Sequence, residues 1–283
     1  MRRIKVLITG PKGYLAQALI KNTDIDFVFE KNTYNDIIET DITNVERFYD
    51  MEFDVILHNA GIVGTTNCDA STYTLDVNVN GTVNMINLAL RKNVPLIFFS
   101  TTVVYEPTNE YISEDSKKNP HTLYGKTKLI GEYLIKSLMK DFIIIRPCMI
   151  FGLNDKHSAI TMAMTSTKEN KKAIHLNPEY EKPYLHVDEF ARGMNIVINN
   201  YKKLLGEDIN FAPAVHLQVK DILMFIDNLT GTHDYILHKK NDYLRNHVLS
   251  GHKIHKLLKW RQKTNIYVEI ERMYCELKNK GNR

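Results

Sequence analysis

The feature that most constrains the fold is an alternation of short apolar runs with longer amphipathic stretches in the first half of the chain. The apolar runs, most of them bounded by turn or charge signals, are Ile4–Ile8, Phe27–Phe29, Val55–Leu57, Leu96–Phe99 and Phe142–Ile145. Such runs are typical of strands that are buried on both faces of a parallel sheet. The stretches between them have helical periodicity: Tyr14–Lys21, Leu75–Lys92 and Tyr124–Lys140. The alternation predicts an α/β fold, a doubly wound parallel sheet with helices on both faces.

A glycine-containing loop, TGPKGYLA, follows the first apolar run directly. Gly10 lets the chain turn tightly, Gly13 lets a pyrophosphate approach the backbone, and Ala16 lets the next helix pack closely on the strand. The start of that helix offers N–H groups and a positive dipole end to phosphates. The loop therefore predicts a Rossmann-type sheet with NAD or NADP as cofactor. Glu30 would favour the ribose hydroxyl of NAD and Lys31 the 2′-phosphate of NADP, so both cofactors remain open.

The alternation of apolar runs and amphipathic stretches ends at about residue 150, where helical and loop segments follow. A short apolar stretch covers Tyr184–Val187, and a helix is predicted over Val187–Asn199. We therefore predict a dinucleotide-binding domain over residues 1–150 and a smaller, mixed substrate-binding lobe over 151–283. The chain is expected to return to the main domain near residues 184–200, because no low-complexity linker separates the two parts.

Composition excludes several other classes of protein. Hydrophobic residues make up 43% and charged residues 25% of the chain, as in typical globular domains. No apolar run approaches the roughly 20 residues that span a bilayer, and the first run is too short and too quickly followed by Gly10 for a signal peptide. The three cysteines, Cys68, Cys148 and Cys275, are too scattered for a disulfide framework or a zinc site. We expect a cytoplasmic protein without a membrane partner.

The C-terminal part is basic, with twelve Lys or Arg against five Asp or Glu in residues 231–283. A basic tail could contact nucleic acid, but these charges are spread through a helical pattern, which favours a solvated helix face. His252 and His255 lie three residues apart without a recognisable third ligand. We therefore expect neither a nucleic-acid partner nor a bound metal.

Two segments carry the predicted chemistry. Tyr124 and Lys128 lie four residues apart and would share one face of a helix. A free tyrosine has a pKa of about 10, and a nearby cation lowers such a pKa by about one to three units. Upstream, Ser100, Thr101 and Thr102 end a buried strand, where a hydroxyl could bind the reacting oxygen. Each pattern alone also fits a structural role, an amphipathic helix or a strand-end turn.

Taken in order, the motifs resemble those of the extended short-chain dehydrogenase/reductase family, the NAD-dependent epimerase/dehydratase group that acts on nucleotide sugars. The resemblance covers nearly the whole chain, through TGPKGYLA, ETDITN, DVILHNAG, NVNGT, FFSTTVVYE, YGKTK, IIIRPCMIFG, PYLHVDEFARG and SGHKIHKLLKW. It implies that Tyr124 is the general acid/base, that Lys128 tunes it and holds the nicotinamide ribose, and that Thr101 steadies the substrate oxygen. It also implies a homodimer formed through the helices over Leu75–Lys92 and Tyr124–Lys140.

The resemblance implies binding residues as well. The cofactor set comprises the glycine loop, later strand ends and the catalytic helix: Gly10, Lys12, Gly13, Tyr14, Leu15, Asp41, Ile42, Asn59, Ala60, Gly61, Asn78, Tyr124 and Lys128. Within this set, Asp41 and Ile42 would line the adenine, and Ala60 and Gly61 would lie along the cofactor. The implied substrate contacts are Thr101, Thr102 and Lys182.

Two reactions fit the resemblance, a 4-keto-sugar reductase similar to dTDP-4-dehydrorhamnose reductases and a 4-epimerase. Thr102 and Val103 stand where 4,6-dehydratases have Asp-Glu, and Val103 replaces the cysteine of GDP-fucose synthases, so those reactions are disfavoured. Met149 and Lys182 replace the family's Asn and Arg, which weakens the implied grip on a substrate diphosphate because lysine is only a point charge. A non-catalytic nucleotide-binding scaffold is the alternative, since fold does not imply function.

Overall fold

The structure, a computed structural model, describes residues 3–30, 41–64, 72–155, 158–238 and 248–281. It divides into two compact units. The first unit comprises Met1–Glu106, Ser116–Pro147 and Ala191–Phe211. The second comprises Pro107–Asp115, Cys148–Phe190 and Ala212–Arg283.

The first unit is built on a six-stranded parallel sheet with the strand order β10-β5-β4-β3-β1-β2. Its strands are β1 (Lys5–Thr9), β2 (Asp26–Val28), β3 (Val55–His58), β4 (Leu96–Phe99), β5 (Phe142–Pro147) and β10 (Glu207–Phe211). The chain moves from β1 outward to β2 and then back to β3 on the other side of β1. This reversal leaves a crevice at the carboxyl ends of β1 and β3, where ligands of such sheets bind.

Hydrophobic burial explains why the predicted runs became strands. β3 and β4 are buried at every position, and Leu7, Ile56, Phe98 and Ile144 join one core cluster with residues of the flanking helices. All five predicted strands are present, although β2 begins one residue earlier than its apolar run. The prediction omitted β10, because its sequence EDINF has charged residues at its start and lies far from the other strands in the chain.

Three helices lie between the strands of this unit: α1 (Tyr14–Asn22), α2 (Gly81–Lys92) and α3 (Leu123–Leu138). The predicted helical stretch Leu75–Lys92 is helical throughout, but its first part is not a regular α-helix. An α-helical turn over Tyr73–Leu75 passes into a π-helical turn over Asp76–Asn80 before α2 begins. The π turn contains Asn78, whose side chain is buried and bonded to other segments, so tertiary contacts outweigh the regular helical repeat there.

The second unit contains three two-stranded pairs and most of the remaining helices. The pairs are β6 (Met149–Phe151) with β9 (Tyr184–His186), β7 (Ala173–His175) with β12 (Ile236–His238), and β8 (Glu181–Lys182) with β11 (Leu217–Gln218). The helices are α4 (Ala159–Met164), α5 (Val187–Asn199, which continues into the first unit), α6 (Val219–Thr230), α7 (His252–Leu258) and α8 (Ile266–Gly281). Phe151, Ile160, Ile222 and Ile270 lie in its core.

In the described parts of the chain, no helix is both long and apolar enough to cross a membrane. Within the same residues, no group of three or more His, Cys, Asp or Glu side chains is placed to hold a metal ion. Lys31 and Cys68, which were named from the sequence, lie outside the described residues.

Candidate active site

The glycine loop is held tightly against the end of β3. Gly10 has a φ of +62°, and a Cβ atom there would lie 2.9 Å from Cα of Ala60, so only glycine fits. The N–H of Gly13 donates to the carbonyl oxygen of Gly10 at 2.9 Å, which closes the turn before α1. The side-chain amide of Asn59 donates to the carbonyl oxygens of Thr9 and Gly10 at 3.3 and 3.1 Å. The glycine loop is therefore tied to the segment after β3, residues Asn59–Gly61. We call the loop and this segment together the ledge.

The start of α1 offers the donor set that a pyrophosphate needs. Gly13 occupies the N-cap position and, among the described residues, no side chain caps this helix end. Lys12 and Gly13 are exposed, Tyr14 and Leu15 are half-buried, and Ala16 is fully buried against the sheet. The first-turn N–H groups and the helix dipole can therefore act on an anion beside Lys12. A side chain at position 13 would crowd Nδ2 of Asn59, since its Cβ would lie 3.1 Å away.

A second contact joins the ledge to the predicted catalytic lysine. A Cβ atom at Gly61 would lie 3.1 Å from Oδ1 of Asn78 and 3.6 Å from Nζ of Lys128. Asn78 accepts a hydrogen bond from the N–H of Ile62 at 2.7 Å and donates to Oγ1 of Thr127 at 3.1 Å. Gly61, Asn78 and Lys128, which come from three distant parts of the sequence, therefore meet at one point of the crevice.

Lys128 is buried on α3, one helical turn after Tyr124. Its ammonium lies 4.4 Å from the centre of the Phe98 ring, a cation–π contact. The helix approaches that ring closely because position 131 is glycine, where a Cβ would lie 3.0 Å from Cζ of Phe98. The contact of Lys128 with the Phe98 ring and the close packing of α3 on that ring therefore fix the position of the ammonium.

Tyr124 and Thr101 lie on segments that touch. Tyr124 is half-buried in the first turn of α3, and the next residue, Gly125, packs directly on the turn after β4. A Cβ atom at Gly125 would lie 2.7 Å from the carbonyl oxygen of Val103. Oγ1 of Thr101 accepts the N–H of Val103 at 3.3 Å, so this hydroxyl caps a 3-10 turn over Thr102–Val104 and keeps its own proton available to donate. The structural role that the sequence allowed for Thr101, a strand-end turn, is therefore present, and its contact with a substrate oxygen stays a prediction.

A charged network that sequence reasoning missed lies beside this segment. Arg146 is fully buried on β5 and donates to both carboxylate oxygens of Glu132 on α3, at 2.8 and 2.7 Å. It also donates to Oδ2 of Asp208 on β10 at 2.6 Å and to the Tyr105 hydroxyl at 2.7 Å. Ser100, next to Thr101, donates to Glu132 at 2.5 Å. The one available signal was the spacing of Tyr124, Lys128 and Glu132, which puts all three on one helix face.

The network balances its own charges. Burial disfavours the charge of Arg146, but the hydrogen bonds and the negative charge of Glu132 outweigh this and raise the pKa of the guanidinium. Burial likewise opposes ionisation of Asp208, yet the charge of Arg146, with help from Lys136, lowers the pKa of that carboxyl to about 2. The Asp208 carboxylate and the Arg146 guanidinium are therefore both ionised at neutral pH.

Three further predicted residues, Asp41, Ile42 and Lys182, make contacts of other kinds. Asp41 is exposed, and Thr43 donates to its carboxylate through its N–H at 2.8 Å and its hydroxyl at 2.7 Å. These bonds lower the pKa of Asp41. The side chain of Ile42 is 2% exposed and belongs to the hydrophobic core, so its contact with an adenine stays a prediction. Lys182 is buried in the second unit, with its ammonium 5.5 Å from the centre of the Tyr180 ring.

A comparison with protein families identifies the arrangement. A family model described as the NAD dependent epimerase/dehydratase family matches residues 6–212, which is most of the chain. The chain belongs to the NAD-dependent epimerase/dehydratase family. The resemblance seen in the sequence is thereby confirmed, and the predicted cofactor class is that of the family.

Curated relatives agree with this assignment at low identity. The chain is 22% identical over 257 residues to a putative UDP-glucose 4-epimerase of Methanocaldococcus jannaschii, covering 80% of the chain and 82% of that relative. It is 29% identical over 161 residues to a dTDP-4-dehydrorhamnose reductase of Aggregatibacter actinomycetemcomitans, covering 52% of each. It is 26% identical over 202 residues to methionine adenosyltransferase 2 subunit beta of Bos taurus, covering 66% of the chain and 60% of that relative. The chain therefore spans between about half and four fifths of these relatives' lengths.

Solved structures confirm the predicted fold class. A UDP-glucuronic acid 4-epimerase of Bacillus cereus, bound to UDP-glucuronic acid and NAD, has a TM-score of 0.82 and 21% identity, with 98% of this chain and 100% of that chain covered. RMD of Pseudomonas aeruginosa, bound to NADPH, has a TM-score of 0.84 and 15% identity, with 98% and 99% covered. The first of these two solved structures thus holds NAD and the second NADPH.

Proposed function

We propose that this family member is an NAD(P)-dependent enzyme that reduces or epimerises a sugar ketone or hydroxyl, with a nucleotide sugar as substrate. The observation that carries the proposal is the fixed ammonium of Lys128. It lies 3.6 Å from the position of a Cβ on Gly61 and one helical turn from Tyr124. A cation held beside a cofactor ledge and a phenol on the same helix face is what proton transfer at a sugar oxygen requires.

In this proposal, the residues of the glycine loop and the ledge bind the cofactor. The first turn of α1 binds the pyrophosphate, with Lys12, Tyr14 and Leu15 beside Gly10 and Gly13. Asn59, Ala60, Gly61 and Asn78 shape the ledge, and Asp41 and Ile42 border the adenosine. When bound, the nicotinamide supplies or accepts a hydride at the sugar carbon. The fit is supported by the glycine positions 10 and 13, where a Cβ would collide with the ledge.

Tyr124 carries the proton. Its phenol donates to or accepts from the sugar oxygen, while the Lys128 ammonium favours the phenolate and holds the nicotinamide ribose. The Thr101 hydroxyl, whose oxygen accepts the N–H of Val103, donates its own proton to the same sugar oxygen. Thr102 and Lys182 contact the remainder of the substrate.

The experiment that tests this function starts from the purified protein. Mass spectrometry of the released small molecules identifies a carried-over cofactor, and a panel of UDP-, dTDP-, GDP- and CDP-sugars is then tested for turnover. Tightly retained NAD supports the 4-epimerase, and exchangeable NADPH supports the 4-keto-sugar reductase. The variant Tyr124→Phe should bind the dinucleotide normally but lose about 10²- to 10⁴-fold in turnover. Full turnover in this variant would contradict the proposal.

The protein is further proposed to be a cytoplasmic homodimer that uses α2 and α3. Several large apolar side chains on these helices are solvent-exposed in the single chain: Leu90, Ile130, Tyr133 and Leu138, at 52%, 40%, 59% and 54%. Burying such residues between two copies would remove an apolar surface from water. Tyr133→Lys should shift the protein to a monomer in sedimentation velocity, and a wild-type monomer at micromolar concentration would contradict the dimer.

A second candidate function is a non-catalytic nucleotide-binding subunit of another enzyme. The observation that favours it is the likeness to a relative named as the beta subunit of a methionine adenosyltransferase. This function predicts dinucleotide binding without turnover of any sugar in the panel, and binding unaffected by Tyr124→Phe.

A further inference from the structure

His58 is a buried histidine at the end of β3, directly before the ledge. It is 1% exposed and has a hydroxyl partner at each ring nitrogen. Nδ1 lies 3.0 Å from Oγ1 of Thr9 on β1, and Nε2 lies 3.1 Å from Oγ1 of Thr82 in the first turn of α2. The ring therefore bridges the strand that leads into the glycine loop and the helix that follows Asn78.

The direction of each hydrogen bond follows from the partners. The hydroxyl of Thr82 donates its proton to the backbone carbonyl of Asn78 at 2.7 Å, because a carbonyl can only accept. Nε2 of His58 must therefore donate to Thr82. In a neutral ring Nδ1 then has no proton and accepts from the hydroxyl of Thr9.

The Thr9 hydroxyl also holds the backbone of the ledge. Once its proton is given to His58, the lone pairs of Oγ1 accept the backbone N–H groups of Asn59 at 3.1 Å and Ala60 at 3.0 Å. A protonated His58 would bring a third N–H donor to the same hydroxyl, which has only two lone pairs. The hydrogen-bond chain is complete only with the neutral ring.

The surroundings also oppose protonation. Burial, and to a smaller extent the positive charge of Lys128, hold the pKa of His58 well below its ordinary value. The ring of Phe98 contacts both groups, with 5.5 Å between the His58 and Phe98 ring centres and 4.4 Å from the Lys128 ammonium to the Phe98 ring centre. A second cation at position 58 would repel the ammonium that the proposed reaction needs.

We infer that His58 is a positioning residue: as the neutral Nε2–H tautomer it orders Thr9, which fixes the backbone of Asn59 and Ala60 against the glycine loop for dinucleotide binding. This inference rests on the proposed function. The ledge and the loop have little freedom, since a Cβ at Gly10 would already lie 2.9 Å from Ala60. Loss of the Thr9 acceptor should therefore weaken dinucleotide binding at the pyrophosphate.

The tautomer is tested first, on wild-type protein labelled with ¹⁵N-histidine. The His58 signals are those that vanish in His58→Asn or, if that variant does not fold, those that shift in Thr9→Ser. We expect the ¹⁵N pattern of an Nε2–H neutral ring that does not titrate at the ordinary histidine pKa of about 6.5. An Nδ1–H pattern or an ordinary titration would overturn the inference.

The positioning role is tested by fluorescence titration with NADH and NADPH. Thr9→Val removes the hydroxyl without changing the size of the side chain. It leaves the N–H groups of Asn59 and Ala60 without their acceptor and should raise the dinucleotide Kd about tenfold. Thr9→Ser keeps the hydroxyl and should restore most of the affinity. Ile56→Val, a buried change on β3, the strand of His58, is the control for general destabilisation and should lower Tm without changing Kd.

The outcomes separate this inference from the proposed function. Wild-type protein that binds neither dinucleotide would contradict the proposed function itself. Wild-type protein that binds one of them, with an equal Kd in Thr9→Val, would overturn the positioning role alone. A Kd raised equally in Ile56→Val would also overturn it, because the effect would then follow from stability.

Discussion

Two buried polar clusters flank the candidate site, and they use opposite chemistry for the same structural task. On the cofactor side, His58 joins β1 to α2 through neutral hydroxyl partners. On the side of β5, Arg146 joins β10 to α3 through the carboxylates of Asp208 and Glu132, and Ser100, which follows β4, donates to the same Glu132. The difference follows from the neighbouring charges. Lys128 makes another cation near His58 costly, whereas Arg146 has the carboxylates of Glu132 and Asp208 to balance it.

The two clusters stabilise different parts of the surroundings of Lys128 on α3. Tyr124 and Lys128 begin the face of α3 that contacts the ledge, and Glu132 continues the same face into the charged network. The neutral cluster can hold the ledge without disturbing the lysine, and the charged cluster anchors the helix that presents it. The two clusters should therefore differ in their response to mutation and to pH.

Removal of the central cation should have the largest effect on stability. Arg146→Met leaves Glu132 and Asp208 without their partner, and breaking such a buried pair costs about 3–5 kcal/mol. Urea unfolding should show this loss. The double variant Arg146→Met/Glu132→Leu should recover part of it, because the buried carboxylate is then also gone. A loss below about 1 kcal/mol in the single variant would show that the network is not a major anchor.

A matched change in the neutral cluster should cost less. Thr82→Val removes the acceptor of the His58 Nε2–H group and the donor to the Asn78 carbonyl, which costs about 1–3 kcal/mol for buried groups left unpaired. Thr82→Ser retains both bonds and should lie close to the wild type in the same urea experiment. Equal stability of the valine and serine variants would contradict the assigned hydrogen-bond directions.

Acid should distinguish the two clusters by pH window. The pKa of His58 is lowered in the folded state, so the unfolded chain binds the extra proton, and stability falls with decreasing pH below about 6.5. The pKa of Asp208 is lowered to about 2, so its contribution is present above its ordinary pKa of 3.8 and is lost as the pH falls towards 2.

Two variants measure these windows separately. Relative to the wild type, His58→Asn should flatten the stability curve below about pH 6.5, where one proton changes stability by up to about 1.4 kcal/mol per pH unit. Asp208→Asn should flatten it only below about pH 4. Identical curves for wild type and His58→Asn across the upper window would mean that the ring is not buried in its neutral form.

The smallest effect is expected at the rim of the charged network. Lys136 donates to Asp208 at 3.1 Å from a partly exposed position, and such pairs contribute about 0.2–1 kcal/mol. Lys136→Gln should therefore lower the free energy of unfolding only slightly, and 1 M salt should reduce the difference. A loss of unfolding free energy as large as that of Arg146→Met would show that the exposed Lys136–Asp208 pair, and not Arg146, contributes most of the network's stabilisation.

The sequence allowed prediction of those features that depend on local patterns. The strands around Val55–His58 and Leu96–Phe99 are continuous apolar runs, and the loop after Thr9 has glycines where the backbone needs them. The two clusters could not be found this way, because their members come from distant segments. His58 and Thr9 are 49 residues apart, and Arg146 and Asp208 are 62 residues apart. A lone histidine or arginine within an apolar run gives no indication of its partners.

The π turn over Asp76–Asn80 illustrates the same limit. Its residues have an ordinary helical pattern, and only the bonds from Asn78 to Ile62 and Thr127 explain why the helix departs from the regular repeat there. The roles assigned to Thr101, Tyr124 and Lys128 were likewise reached through the family resemblance, and they stay predictions until activity is measured.

The most direct test of the central claim is a single-turnover measurement of the change in nicotinamide absorbance after mixing the dinucleotide-bound protein with its sugar substrate. The account predicts that Tyr124→Phe binds both ligands with wild-type affinity and slows this change by at least about 100-fold, since the phenol proton is missing at the sugar oxygen. A variant that completes the step at the wild-type rate would show that another group moves the proton and would contradict the role of Tyr124.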